Sequence, residues 1–327
     1  MDLRHLASFV AIAEAGSLSA AAAAQGRAQS VLSRHLAGLE HALGVSLFDR
    51  SRGGVSLTAA GTLLLGRARA ILAEVAATRA ELATGAAGGV HGKVAIATST
   101  TVADVLYGPL AARLARAHPA LALDLHEGQD DLAERLAQGR IDLAIVTTSG
   151  EAEPSPFRAL YHEPVWLVGP AGDPALTGAP IPPAAAMARP LILPVGEASL
   201  APLLARARAR GLAPPCRLHA ESLGTIRDLV RRGLGAALLP YAAVRDELAA
   251  GRLSGAPVAG LSLTRRLGTP RGRRMARAVA VVAESITEEV AALLARGAIP
   301  GARPNRETSR TGGGRPSPDS GNAVLQG

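Results

Sequence analysis

The sequence predicts a small helical head that ends in a β-hairpin, then one long helix, then an α/β half. Apolar residues recur at helical spacing through the first 43 residues, with Gly16, Gly26 and Gly44 at the predicted helix ends. After Gly92, β-type runs alternate with helical segments, as in a parallel βαβ sheet. The two ends of the chain therefore differ in fold class.

Length and charge narrow the possible classes. The 327 residues suit two or three domains, and a hydrophobic content of 48% excludes global disorder. The formal net charge of +8 does not by itself indicate nucleic-acid binding, because it is unevenly distributed. Residues 1–58 carry five Arg against four acidic residues, a net +1, whereas residues 265–315 carry eleven Arg against four Glu, a net +7.

Cysteine usage and the N-terminus indicate the compartment. The single cysteine, Cys216, excludes an intrachain disulfide and is interpreted as a small core residue rather than a reactive thiol. Asp2 stands where a signal peptide would be basic, and Glu14 interrupts the first apolar run. No later run of 18 apolar residues occurs, so we expect a cytoplasmic protein without a membrane partner.

The head combines three short helices with a hairpin. Helices are predicted over about residues 3–15, 19–24 and 29–43, and a hairpin over 48–57 with Gly53-Gly54 at its tip. Two helices joined by a short Gly-containing turn form a helix-turn-helix. From Thr58 the pattern predicts a striped helix of about 27 residues, roughly 40 Å long, which favours packing on a second copy.

The α/β half divides into two similar sets of elements. Strands are predicted at residues 93–97, 121–126, 141–146, 165–168, 191–193, 217–220 and 236–239. Helices are predicted near 102–117, 129–139, 199–210, 223–233 and 274–294. Beyond Ile299 the sequence lacks periodicity, which predicts a disordered tail.

Several segments resemble the LysR-type transcriptional regulators over nearly the whole chain. The specific matches lie in the first 60 residues: Ser17-Leu-Ser-Ala-Ala-Ala, Gln29-Ser-Val-Leu-Ser-Arg-His-Leu, Leu47-Phe-Asp-Arg and Leu57-Thr-Ala-Ala-Gly. Looser matches include His118-Pro119 and Gln138-Gly-Arg-Ile-Asp-Leu-Ala. Within the family, Ala28-Gln29, Leu125-His-Glu and Leu191-Ile-Leu-Pro look most like the nitrogen-assimilation-control branch.

The resemblance implies an N-terminal winged helix-turn-helix that binds DNA, a linker helix, and a two-lobed effector domain of the periplasmic-binding-protein type. The corresponding division is 1–58 for the head, 59–88 for the linker, 91–298 for the effector domain and 299–327 for the tail. Lobe I would comprise about 91–161 and 269–298, and lobe II 162–268. The implied partners are promoter DNA, a small-molecule effector, a second copy through the linker helix, a homotetramer beyond that, and RNA polymerase as a contact the resemblance allows.

The start of the third helix is the expected DNA-reading segment. The family motif places base contacts at Gln29, Ser30 and Arg34 and a phosphate contact at Ser33, and amide and guanidinium groups suit adenine and guanine edges. Arg50 and Arg52 on the wing would meet the backbone or the minor groove, and Arg27 is a further candidate. The alternative interpretation is that these are ordinary polar residues at a helix start and in a solvated loop.

Three head residues depart from the family pattern. Gln25 and Arg27 replace apolar residues that normally close the small core, so each must find a partner or reach solvent or phosphate. Ala28 replaces the Ser that commonly caps the third helix.

Hydroxyl residues at strand-to-helix junctions are the candidate effector ligands. Ser99, Thr100 and Thr101 follow the first strand of the α/β half, and Thr147 follows the third. Hydroxyls and backbone N–H groups at a helix start favour a small organic acid or another anion. Ser199 and Ser222 open helices of the second set, where plain helix capping is the alternative.

Two other classes of protein compete with this interpretation. An enzyme is disfavoured because the sequence has no nucleophile elbow, phosphate-binding Gly-rich loop or HExxH helix, and its eight His show no metal-ligand spacing. No cofactor is therefore predicted. A cytoplasmic solute-binding or enzyme-like two-lobed protein is the alternative, and the additional N-terminal head argues against it.

Overall fold

The computed structural model of the chain describes residues 2–51, 54–84, 89–128, 130–149, 157–195, 201–209, 211–212, 214–269 and 275–305.

The head has the predicted order of elements. Helices α1, α2 and α3 are followed by the hairpin strands β1 and β2, at Leu3–Ala15, Leu18–Gln25, Gln29–Leu43, Phe48–Ser51 and Gly54–Leu57. Strands β1 and β2 pair antiparallel, with Phe48 opposite Leu57. The predicted bounds of the first and third helices are confirmed.

A single apolar core holds the head together. Leu32, Leu36 and Leu39 of α3 are fully buried, and they pack with Leu6 and Phe9 of α1. The rings of Phe9 and Phe48 lie 5.3 Å apart and connect α1 to the hairpin.

A close approach fixes the exit of the chain from the hairpin. A Cβ at Gly61 would lie 2.0 Å from the carbonyl oxygen of Leu47, so a larger residue would displace the backbone. The Thr58 hydroxyl donates to the Ser46 carbonyl at 2.8 Å and accepts from the Gly61 N–H at 3.0 Å. Glu40 accepts from the Leu47 N–H at 2.8 Å. These contacts explain why the hairpin leads directly into the next helix.

Helix α4, Ala59–Thr84, is the predicted long helix. Its first half packs on the head through Leu65 and Ala68, which are buried. Other large apolar residues on α4 face outward: Leu63 is 69% exposed and Leu82 is 80% exposed. One chain therefore covers only part of the apolar surface of α4.

The remaining described strands form one sheet with helices packed on it. In chain order, strands β3–β11 are Gly92–Thr98, Leu121–Glu127, Leu143–Ser149, Arg158–Pro170, Leu191–Pro194, Cys216–Ala220, Ala236–Pro240, Leu253–Gly268 and Arg303–Pro304. Helices α5–α11 are Thr100–Ala117, Leu132–Ala137, Pro183–Met187, Ala201–Ala209, Leu223–Arg231, Arg245–Ala249 and Arg277–Ala295. A short 3₁₀ helix spans Tyr241–Ala243.

Two long antiparallel strands join two parallel groups. The strand order is β4-β3-β5-β10-β6-β9-β7-β8, with β11 paired to β6. Strands β3, β4 and β5 are parallel, as are β7, β8 and β9. Strands β6 and β10 run antiparallel to each other along both groups. The two parallel sets were predicted, but β10 and the first half of β6 were not.

The crossing of β10 moves one predicted lobe boundary. Residues 263–268 pair with β5 of the first group, whereas residues 253–257 pair with the second half of β6. The change of group falls at the register shift between Pro257 and Ser262 and not at residue 269.

The residues directly after α11 pack on the sheet. Arg303 and Pro304 pair with His162 and Tyr161 of β6, and buried Ile299 joins the core of the first group. The predicted disorder is therefore wrong for residues 299–305, because a sheet edge supplies the backbone partners that a sequence pattern cannot show. Residues 306–327 of the predicted tail lie outside the described residues.

Within the described residues no single helix is long and apolar enough to cross a membrane; α1 and α2 reach that length and composition only jointly, with a bend of 115° between them.

The start of α3 lacks the side-chain cap that the first two helices have. Asp2 accepts from the Arg4 N–H and Ser17 from the Ala20 N–H, whereas Ala28 makes no capping bond. The extended backbone of Ala28, with φ −67° and ψ 137°, suits an N-cap residue. We expect Ala28→Ser to stabilise α3 by about 1 kcal/mol, measured by amide hydrogen exchange of α3. Ser17→Ala should destabilise α2 by a similar amount, and an unchanged exchange rate in both variants would contradict this interpretation.

Candidate functional site

The start of α3 presents a polar face on the side opposite its buried residues. Gln29, Ser30 and Arg34 are exposed and Ser33 is half-buried. Their spacing of one, three and four residues places them on one side of the helix. Because Leu32 and Leu36 hold the other side in the core, the four side chains are displayed together on a fixed support.

A polar contact also connects α3 to α1. The Ser8 hydroxyl lies 2.8 Å from Nδ1 of His35, and the ring of His5 lies 5.0 Å from that of His35. Burial lowers the pKa of His35, and the charges of His5, Arg27 and Arg4 lower it further. The Ser8–His35 contact therefore links α3 to α1, and the pKa of the half-buried His35 ring is shifted toward the neutral form.

The two residues at the turn that depart from the family pattern do not disturb the apolar core of the head. Gln25 and Arg27 are both exposed, so neither places an amide or a guanidinium in the core. Of the two predicted wing residues, Arg50 lies in β1 with a side chain outside the described set, and Arg52 lies outside the described residues.

A second polar region forms where β3 leads into α5. Ser99 and Thr101 are buried, with their hydroxyls 3.2 Å apart, and Thr100 is exposed. The Thr98 hydroxyl donates to the Ile145 carbonyl at 2.9 Å, which ties this junction to β5. Ser99 is the N-cap of α5 and its side chain makes no capping bond. The hydroxyls therefore lie at the positive end of an 18-residue helix.

Thr147 lies at the same end of the neighbouring strand and contacts a buried ion pair. Its hydroxyl accepts a hydrogen bond from the Arg265 guanidinium, whose Nε donates to Glu163. The side chains of Arg265 and Glu163 are only 2% and 1% exposed. These three residues come from β5, β10 and β6, which are adjacent in the sheet.

The ion pair was missed at the sequence level. Arg265 and Arg266 are the first residues of the Arg-rich stretch counted above, yet they are 2% and 7% exposed. Arg266 donates to the Thr148 hydroxyl at 3.0 Å. The pairing of β10 with β5 and β6 reveals this placement, which two consecutive arginines in the sequence do not predict.

Tyr161 and His162 extend the buried polar group. Burial raises the pKa of Tyr161 well above its usual value, and the charge of Glu163 adds to the effect. Nδ1 of His162 lies 2.8 Å from the Thr264 hydroxyl. Buried polar side chains thus lie on the adjacent strands β5, β10 and β6, where the two parallel groups of the sheet meet.

The two remaining predicted ligands are Ser222 and Ser199. The exposed Ser222 caps α9 by accepting from the Thr225 N–H at 3.1 Å, which is the capping role kept as its alternative. Ser199 lies outside the described residues.

The described residues also line two cavities of about 530 Å³ each. One lies between α4 and the first parallel group, lined by Glu14, Arg69, His91, Arg140 and Val279 among others. The other lies at the register shift of β10, lined by Glu163, Trp166, Pro257, Ser262 and Arg303 among others. Within the described part of the chain, no three His, Cys, Asp or Glu side chains are placed to hold a metal ion.

Two family descriptions together match almost the whole described chain. Residues 3–62 match a bacterial regulatory helix-turn-helix protein of the lysR family, and residues 87–291 match the LysR substrate binding domain.

Individual relatives span the same length. The HTH-type transcriptional regulator BbuR of Bordetella bronchiseptica is 33% identical over 92% of this chain and 94% of its own. The nitrogen assimilation regulatory protein Nac of Escherichia coli is 30% identical over 83% of this chain and 89% of its own. The structure of a full-length OxyR variant from Pseudomonas aeruginosa is 25% identical, with a TM-score of 0.67 over 89% of this chain and 94% of that one.

Breaking the buried ion pair should destabilise the α/β domain strongly. Glu163→Gln leaves the Arg265 guanidinium buried without a counter-charge, and we expect the free energy of unfolding to fall by about 3 kcal/mol. Trp166 is the only tryptophan in the chain and lies in β6, so its fluorescence during urea unfolding reports on this domain.

The matched control is Asp228→Asn, which removes a surface carboxylate paired with Arg231 and Arg232. Exposed pairs contribute little, so this variant should unfold almost as the wild type does. Equal losses in the two variants would contradict a special role for the buried pair.

Proposed function

Because the chain belongs to the LysR family of bacterial transcription regulators, we propose that Gln29, Ser30, Ser33 and Arg34 read duplex DNA and that the β3–α5 region binds an effector. The observation that carries the DNA-reading part is the exposed polar face of α3, supported from behind by fully buried leucines. The chain is a DNA-binding regulator and not an enzyme, and it has an effector-binding α/β domain. The family prediction is confirmed; the nitrogen-assimilation-control branch stays a prediction, since Nac and BbuR are similarly related to this chain.

In the proposed complex the start of α3 lies in the major groove. Each base pair presents a distinct pattern of donors and acceptors there. Gln29 and Arg34 would contact base edges with Ser30, while Ser33 holds a phosphate. Arg27 is exposed just before α3, and we propose that it meets the DNA backbone. The same role is proposed for the wing residues Arg50 and Arg52.

The proposed effector site combines the hydroxyls of Ser99, Thr100 and Thr101 with that of Thr147. The N-terminus of α5 supplies a positive potential and backbone N–H groups, which favour a carboxylate or another small anion. Arg265 lies beside Thr147, but Glu163 already neutralises it. We therefore assign anion attraction mainly to the helix N-terminus and propose a small organic acid as the effector class.

The exposed apolar residues of α4 support assembly with further copies. Leu63 and Leu82 remain largely exposed in one chain, and a long helix with an uncovered apolar stripe favours a helix partner. We propose a dimer through α4 and a homotetramer formed by two such dimers, located in the cytoplasm, with RNA polymerase as a further contact of the DNA-bound form.

Arg34→Ala should weaken specific DNA binding by about 1–3 kcal/mol, because a bidentate base contact is lost. Duplexes selected from a random pool by the wild-type chain supply the target, and gel shifts at several salt concentrations measure affinity. Arg116→Ala, which changes an exposed arginine at the end of α5, is the control and should bind like the wild type.

Wild-type affinity in Arg34→Ala would show that the start of α3 is placed wrongly. Failure of the wild-type chain to select any sequence, while folded, would contradict DNA reading altogether.

Thr100→Ala should weaken effector binding while leaving the fold intact, because Thr100 is exposed at the start of α5. A thermal-shift screen of small organic acids on the full chain measures this. Acids that raise the Tm of the wild type should raise that of the variant less. Ser222→Ala is the comparison: an equal Tm shift with the wild type confines Ser222 to helix capping, and an unchanged shift in Thr100→Ala would exclude Thr100 from the site.

A further inference from the structure

The linker helix α4 touches the effector domain of its own chain through a glycine contact. A Cβ on Gly66 would lie 2.5 Å from the carbonyl oxygen of Ala137, at the end of α6. A Cβ on Gly139 would lie 3.3 Å from the Gly66 carbonyl oxygen and 3.4 Å from the Gly66 Cα. The backbone of α4 thus lies directly against the turn between α6 and β5, at a distance that any side chain on Gly66 would increase.

Both glycines are required by this geometry for different reasons. Gly66 is a buried residue inside a regular helix, where glycine weakens the helix and needs another justification. The close approach of Ala137 supplies it. Gly139 has φ +63°, which a residue with a side chain rarely adopts.

Arg69, one turn after Gly66, joins three parts of the chain with one side chain. Its Nε and one terminal nitrogen donate to Oε1 of Glu14 in α1, at 3.1 and 2.8 Å. The other terminal nitrogen donates to the Gln138 carbonyl at 3.0 Å. The Arg69 side chain is 17% exposed, so the guanidinium lies largely within the contact between head, linker and effector domain.

The buried amide of Gln138 supports the same turn from within. Its Nε2 donates to Glu134 of α6, which holds the side chain on its own helix. The backbone carbonyl of Gln138 is the group that accepts from Arg69. The Glu14 carboxylate is half-exposed, so its ion pair with Arg69 contributes little to the stability of this contact. The backbone contact of Gly66 must therefore provide most of the packing between α4 and the turn.

We propose that Gly66, Arg69 and the Gln138–Gly139 turn form a joint that seats the DNA-binding head and its linker on the first parallel group of the same chain. The joint makes the orientation of α3 depend on the position of that group. Arg69 is a positioning residue: it contacts neither the DNA-reading face nor the β3–α5 region, and it fixes one relative to the other.

This proposal rests on the assignment of the two domains under the proposed function, but its test needs neither DNA nor effector. Spin labels are attached at His41→Cys in the head and Arg116→Cys in the effector domain, in a Cys216→Ser background that removes the only native cysteine. Both label positions are exposed. Labelled chains are diluted with unlabelled chains, so that distances within one chain dominate the signal in pulsed electron paramagnetic resonance.

The parent chain should give one narrow distance distribution. Gly66→Ala and Arg69→Ala should each broaden it and add a longer distance. Gly108→Ala is the matched glycine control, because Gly108 is a helical glycine with open space around its Cβ position. Arg79→Ala, an exposed arginine further along α4, is the matched arginine control, and both controls should keep the narrow distribution.

Arg69→Lys separates the contribution of the guanidinium geometry from that of the positive charge. Lysine retains the positive charge but cannot present three fixed donors to two acceptors, so it should not restore the narrow distribution. Circular dichroism verifies that each variant folds, and Arg69→Ala provides the test if Gly66→Ala does not fold. An unchanged narrow distribution in Arg69→Ala or in folded Gly66→Ala would overturn the joint, whereas absent DNA selection with a narrow distribution would overturn only the proposed function.

Discussion

The buried Arg265–Glu163 pair lies where the two long strands β10 and β6 run side by side, and the α/β domain depends on that crossing. Each strand continues from one parallel group into the other, so the two groups share a backbone connection that does not depend on a loop. Removing two charges from water is costly unless each is paired and hydrogen-bonded, and here Thr147 also accepts from the guanidinium. The pair therefore favours one register of β5, β10 and β6, because a shift by one residue would point Arg265 to the opposite face of the sheet.

This crossing also sets where the proposed effector site can lie. Ser99 and Thr101 are tied to β5 through the Thr98–Ile145 hydrogen bond, and Thr147 is tied to β10 through Arg265. A ligand held at the start of α5 would thus contact residues whose positions follow from the same three strands. The head is connected to this group by α4, whose Gly66 lies against Ala137 and whose Arg69 contacts Glu14 and Gln138. A movement of the first parallel group would therefore reach α3 through residues that are in direct contact.

Local patterns in the sequence were sufficient for the head and insufficient for the crossing. The bounds of α1 and α3 follow from apolar spacing and terminal glycines, and the polar face of α3 follows from the same periodicity. Strand β10 contains one proline, three glycines and two consecutive arginines, none of which suggests a buried strand. The burial of Arg265 depends on Glu163, 102 residues earlier in the chain, and a pairing at that separation has no local signature. The strand at Arg303–Pro304 was missed for the same reason, since it exists only through its partner β6. Ser222 caps α9, and its effector role stays a prediction, because a helix cap and a ligand contact require the same residue type at the same position.

We propose that α3 reads DNA while the crossed strands β6 and β10 remain an unaltered support. Amide hydrogen exchange of the full chain, with and without a duplex selected from a random pool, tests it directly. We predict that the duplex slows exchange in residues 27–34 and in the hairpin, and leaves β6 and β10 as slowly exchanging as before. Slowing confined to the effector domain, with α3 unchanged by a bound duplex, would exclude DNA reading by α3.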